Sequence, residues 1–112
     1  MTKMTRRNIV KIGLATLAVS FSVSLSQAAT VHDVKIEGMA FSPVEITIKA
    51  GDTIRWTNVD GAPHTATDIA EEFDTEALSK GKSAEIVMSK PGNYDYFCQI
   101  HPGMKGKITV TD

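Results

Sequence analysis

From residue 29 onward the apolar residues of this chain recur at every second position. Val44, Ile46 and Ile48 alternate with Glu45, Thr47 and Lys49. Ile54 and Trp56 share one face of Thr53-Ile54-Arg55-Trp56-Thr57-Asn58, and Ala84, Ile86 and Met88 repeat the pattern. Tyr94, Tyr96 and Cys98 do so again, and Ile108 and Val110 close it. A first short apolar segment, Val31, Val34 and Ile36, ends at Gly38. A period of two places one set of side chains on each face of a pleated strand and leaves no apolar stripe for a helix to bury. Turn residues stand between the runs, at Ala50-Gly51-Asp52, Asp60-Gly61-Ala62-Pro63 and Pro91-Gly92-Asn93. Short strands so spaced predict an all-β sandwich or barrel. Ile69 to Leu78 is ambiguous and reads as loop or as a helical turn.

The first residues follow another logic. Lys3, Arg6, Arg7 and Lys11 are accompanied by no acid, an apolar run covers Ile12 to Val23, and Ser26-Gln27-Ala28 supplies small residues at a cleavage position. This is the order of a secretory signal peptide over residues 1–28, cleaved after Ala28. The run is too short and too rich in Ser, Thr and Gly for a membrane span of ~20 residues. No membrane insertion is expected after cleavage, and an uncleaved anchor is the alternative. Thr5-Arg6-Arg7-Asn8-Ile9-Val10-Lys11 resembles the bacterial twin-arginine export signal, beside the general secretory route. Residues 29–112 would then form one domain in the periplasm, expected as a monomer.

Residues 29–112 carry 8 Lys and Arg against 13 Asp and Glu, a net charge of −5. That balance argues against a nucleic-acid partner and favours a basic docking surface. Cys98 is the single cysteine, so no intramolecular disulfide, four-cysteine cluster or haem-attachment motif can form. An exported core this small would gain from some other staple, such as a bound metal.

Chemistry concentrates in Cys98-Gln99-Ile100-His101-Pro102-Gly103-Met104, which sets a thiol, an imidazole and a thioether three residues apart where a strand runs into a reversal. His64 offers a second imidazole from the loop after Trp56. Two imidazoles, a thiolate and a weak axial thioether form the set that selects copper and suits electron transfer.

With these residues in view, the chain resembles the cupredoxins, small blue-copper proteins, and among them the amicyanin type. The resemblance rests on Phe41-Ser42-Pro43, Gly51-Asp52, Ile54-Arg55-Trp56-Thr57-Asn58, Pro63-His64, Phe73-Asp74-Thr75, Leu78, Gly81 and Tyr94-Asp95-Tyr96-Phe97-Cys98 through His101, Met104, Gly106, Ile108 and Val110. The two-residue gaps on either side of His101 match the short ligand loop of amicyanins. Ile100 stands where amicyanins usually carry a proline, and Gly103 where a bulkier apolar residue is common.

The resemblance implies a Greek-key cupredoxin fold holding one type-1 copper through His64, Cys98, His101 and axial Met104. It implies that Asn58 ties the two ligand loops together and that His101 is an exposed electron port. Ala62, Pro63 and Pro102 would form the docking surface around it, with Met39 and Phe41 as further candidates. The function implied is electron transfer rather than enzymatic catalysis. Its partners would be redox proteins such as a c-type cytochrome, an amine dehydrogenase or a nitrite reductase.

Other readings of the same residues are copper buffering or delivery, a zinc site and a Cys–His nucleophilic enzyme. Thioether is a poor zinc ligand, and nothing in the sequence supplies an orienting third group for a nucleophile. Met39 and Met88 read otherwise as core or surface residues, as do Trp56, Tyr94, Tyr96 and Phe97. His32 reads as solvated, and Asp68, Glu71, Glu72, Asp74 and Glu76 read as a solvated acidic face or a dock for a basic partner.

Overall fold

The computed structural model describes residues 28–112; the expected leader lies, apart from Ala28, outside the described residues. Eight strands follow in order: β1 (Val31–Ile36), β2 (Phe41–Ser42), β3 (Glu45–Lys49), β4 (Thr53–Asn58), β5 (Thr67–Asp68), β6 (Ser83–Val87), β7 (Gly92–Phe97) and β8 (Lys105–Thr111). One sheet has the order β2-β1-β4-β6 and the other β3-β8-β7-β5. The pairs β1–β4 and β3–β8 are parallel and the remainder antiparallel. Parallel neighbours cannot be joined by a tight hairpin, so the chain passes between sheets, as a Greek-key sandwich requires.

The alternation read from the sequence is the burial pattern observed in β4 and β8, whereas Val31 and Val44 of the expected apolar sets are exposed. In β4, Ile54, Trp56 and Asn58 point inward, while Thr53, Arg55 and Thr57 are half-buried. In β8, Gly106, Ile108 and Val110 are buried between more exposed residues. These faces meet Val34 and Ile36 of β1, Ile48 of β3 and Tyr96 of β7 in one core. Trp56 stacks on Phe73 with ring centroids 5.5 Å apart and meets Tyr96 edge-on at 5.4 Å.

The ambiguous stretch from Ile69 to Leu78 is a non-helical loop. Its backbone bonds run outward to the sheet edge: Asp68 N–H donates to Phe73 O and Thr75 N–H to Ala66 O. Leu78 exchanges both backbone bonds with His64. Tertiary partners for these groups outweigh a local helical turn, which would leave its end groups unpaired.

Three expected surface residues are not free in solvent. Phe41 is buried and packs edge-on against Tyr96 at 4.7 Å, so it belongs to the core and not to a docking rim. His32 Nε2 lies 2.9 Å from Asp52 Oδ2 instead of standing solvated. Asp68 is buried and accepts the Ala70 and Glu72 N–H groups, so it leaves the acidic face to Glu71, Glu72, Asp74 and Glu76.

Candidate metal centre

The two ligand-bearing segments come from opposite sheets. His64 follows the β4 loop, and its pairing with Leu78 fixes it at the mouth of the sandwich. Cys98 directly follows β7, and the segment from there to β8 closes on itself: Met104 N–H donates to His101 O at 2.9 Å and Cys98 N–H to Met104 O at 3.1 Å. A seven-residue reversal held at both ends turns His101 back toward the chain that bears His64.

The side chains converge. Cys98 Sγ lies 3.8 Å from His64 Nδ1 and 3.9 Å from His101 Nδ1, and the two Nδ1 atoms are 3.2 Å apart. A triangle with those sides has its corners about 2 Å from a common centre, the length of a transition-metal bond to imidazole nitrogen or thiolate. Among the described residues these three form the one group of His, Cys, Asp and Glu donors close enough to share an ion. Cys98 and His64 are fully buried and His101 is half-buried. Met104 is buried at the end of the same loop, with its main chain holding the reversal.

The surrounding hydrogen bonds suit an anionic sulfur. Thr65 N–H and His101 N–H each donate to Cys98 Sγ at 3.3 Å. Donors aimed at a thiolate favour its charged form, the form that binds metal. Asp60 Oδ2 lies 3.0 Å from His64 Nε2, on the side of the ring away from the triangle. The Asp60 carboxyl is held below the usual carboxylate range, first by the Met39 and Gly38 N–H groups and then by His64.

Asn58 acts differently from the expectation. Its Nδ2 donates to Ala62 O at 2.9 Å and Leu78 O at 2.7 Å, and its Oδ1 accepts the Asp60 N–H. It therefore shapes the His64 loop and ties that loop to residue 78, not to the Cys98 loop. Thr65 makes the bond between ligand loops: its Oγ1 accepts the Gln99 N–H at 2.8 Å. Since Thr67 Oγ1 donates to Asp74 Oδ1, the Thr65 hydroxyl hydrogen is directed to Thr67, and the relay ends on a carboxylate.

Thr65 and Asp60 touch the candidate site and stand outside the motif. The only sequence signals for them are adjacency to His64 and a position four residues before it, and both are common in turns. Pro63 and Pro102 are exposed beside the two histidines, and Ala62 is half-buried. Met39 is 47% exposed, with its N–H bound to Asp60.

The sequence matches the model of the cupredoxin-like domain over residues 10–110. It is 35% identical over 83 residues to amicyanin-alpha of Methylorubrum extorquens, with 70% of each chain covered. The solved structure of amicyanin from Paracoccus versutus is 38% identical and superposes with a TM-score of 0.63, over 78% of this chain and 85% of that one. The Cu-containing nitrite reductase of Thermus scotoductus superposes with a TM-score of 0.69 at 32% identity; the match spans 79% of this chain and 23% of the reductase.

Proposed function

Because the chain belongs to the cupredoxin family, we propose that it is a one-electron carrier of the bacterial periplasm, exported by residues 1–28 and working as a single domain over 29–112. The observation that carries this reading is the triangle of Cys98 Sγ, His64 Nδ1 and His101 Nδ1. The family's cofactor is one type-1 copper, and a thiolate with two imidazoles is the donor set that suits it. Cys98, His64 and His101 would hold the ion, with the Met104 thioether as a further, weaker donor. Bound there, copper supplies a one-electron couple between its cupric and cuprous states.

The chain's own residues do the rest. Two N–H groups share the charge on Cys98 Sγ, and the core beneath it keeps water from the thiolate. Both loops are pinned by main-chain bonds, so the donor atoms are held in one arrangement before and after an electron passes. Half-buried His101 is the side chain of the set that reaches the surface, and it serves as the electron port. Ala62, Pro63 and Pro102 beside the histidines form a small apolar rim. Such a surface favours brief docking, because redox encounters bury little area and part quickly. A c-type cytochrome, an amine dehydrogenase or a nitrite reductase is the kind of partner that fits. Since this chain spans 23% of the similar reductase, that enzyme's activity is not transferred to it.

The test is the visible spectrum after one equivalent of Cu(II). An intense blue thiolate-to-copper band, bleached by mild reductant and restored by oxidant, is the expected result. Cys98→Ser should abolish the band. Colourless protein with a freely titratable Cys98 thiol would refute the site, and copper lost to a chelator on each redox cycle would favour buffering or delivery instead.

A further inference from the structure

We propose that Asp60 is the positioning residue that sets the donor strength of the metal centre, by fixing His64 as its Nε2–H tautomer. The inference deepens the copper reading and rests on it. Asp60 Oδ2 stands 3.0 Å from His64 Nε2; the imidazole is 0% exposed and the carboxylate 19%. An ionised carboxylate only accepts, so the ring nitrogen facing it bears the proton and Nδ1 turns its lone pair toward the triangle.

The carboxylate is itself fixed. Gly38 N–H donates to Oδ1 at 2.8 Å and Met39 N–H to Oδ2 at 2.9 Å, while Asp60's own N–H is held by Asn58 Oδ1 at 2.8 Å. Gly38 and Met39 have φ of 64° and 61°, and these successive left-handed residues aim both amides at one anion. Met39 adopts that conformation despite its side chain, a backbone strain that the two bonds to Asp60 offset.

The other ring is unlike it. Among the described residues, no hydrogen bond reaches His101 Nε2, and His101 is half-buried where His64 is enclosed. Among the described residues, His64 is the one of the two with an anion behind it. A carboxylate on the far nitrogen makes the near one more basic, and a more basic donor favours the cupric over the cuprous ion. Partners of this kind are worth roughly 10–100-fold in metal affinity.

Asp60→Asn keeps the size of the side chain and an oxygen for the surrounding N–H groups while removing the charge. The expected result is a cupric affinity lowered about tenfold with the cuprous affinity nearly unchanged, which raises the reduction potential by about 59 mV. The blue band should persist, and Asp60→Glu should move the potential back toward that of the parent. A potential unchanged with the band intact, whether or not the variant melts earlier, would overturn the inference and leave the copper reading standing. A parent protein without a blue band would overturn both. Nitrogen chemical shifts of metal-free parent protein give a second readout that needs no variant to fold. His64 is expected as the Nε2–H tautomer, and an Nδ1–H tautomer would overturn the inference.

Discussion

Asp52 draws three donors onto one carboxylate: His32 Nε2 at 2.9 Å, Thr30 N–H at 3.0 Å and Lys49 N–H at 3.2 Å. With the His32 bond the largest influence, its pKa falls from 3.8 to about 2. A carboxyl more acidic in the folded chain than in the unfolded one adds stability above its unfolded pKa, and that stability is lost as pH falls through the folded value. The urea midpoint should therefore drop between about pH 4 and pH 2, and Asp52→Asn should flatten this part of the profile. Thr65 makes a separate prediction. Thr65→Val removes the acceptor for Gln99 N–H and should cost about 1 kcal/mol in urea unfolding. It should leave the blue band in place, because the bond from residue 65 to Cys98 Sγ is made by the main chain. Neither role is legible in the sequence, since Asp52 lies twenty residues from His32 and Thr65 thirty-four from Gln99.

Between elements, the register of β7 on β8 sets Tyr96 opposite Gly106. A Cβ at residue 106 would overlap the Tyr96 phenol ring, so the glycine is required by close approach rather than by backbone conformation. Burial of that phenol pushes its pKa up to about 12. Gly106→Ala should destabilise the fold by about 1–3 kcal/mol through overpacking, measurable by thermal or urea unfolding. The longer strands were readable because five or more residues display a period of two. The two-residue strands β2 and β5 were not, because two residues have no period and their pairing depends on β1 and β7. The Ile69–Leu78 loop was ambiguous for a related reason: apart from one turn bond from Glu71 N–H to Asp68 O, Ile69, Thr75 and Leu78 bond to Asp95, Ala66 and His64, farther away than one helical turn.

For the molecule as a whole, metal and charge are the two quantities that act beyond a single contact. A ligand bound only by the folded state stabilises it by about 4 kcal/mol when present at a thousandfold its Kd. Removing copper should lower the melting temperature accordingly, and the Cys98→Ser protein should show no such dependence. The net charge of −5 over residues 29–112 predicts a second effect on kinetics. Electron exchange with a basic partner should slow as ionic strength rises, since screening shortens the reach of steering to about 8 Å at physiological salt. A rate insensitive to salt would assign recognition to the apolar rim alone.

The sequence by itself determined the class of fold and singled out the four candidate donor side chains. Alternation is a local property, and Cys98, His101 and Met104 lie within one short loop whose spacing can be counted. Only the tertiary structure decided how those donors are held, because the groups that hold them are brought together across the sandwich. Asp60 behind His64, Thr65 between the loops and Phe41 beneath Tyr96 each depend on the packing of two sheets. A hydrogen bond between distant segments leaves no periodic trace in either one.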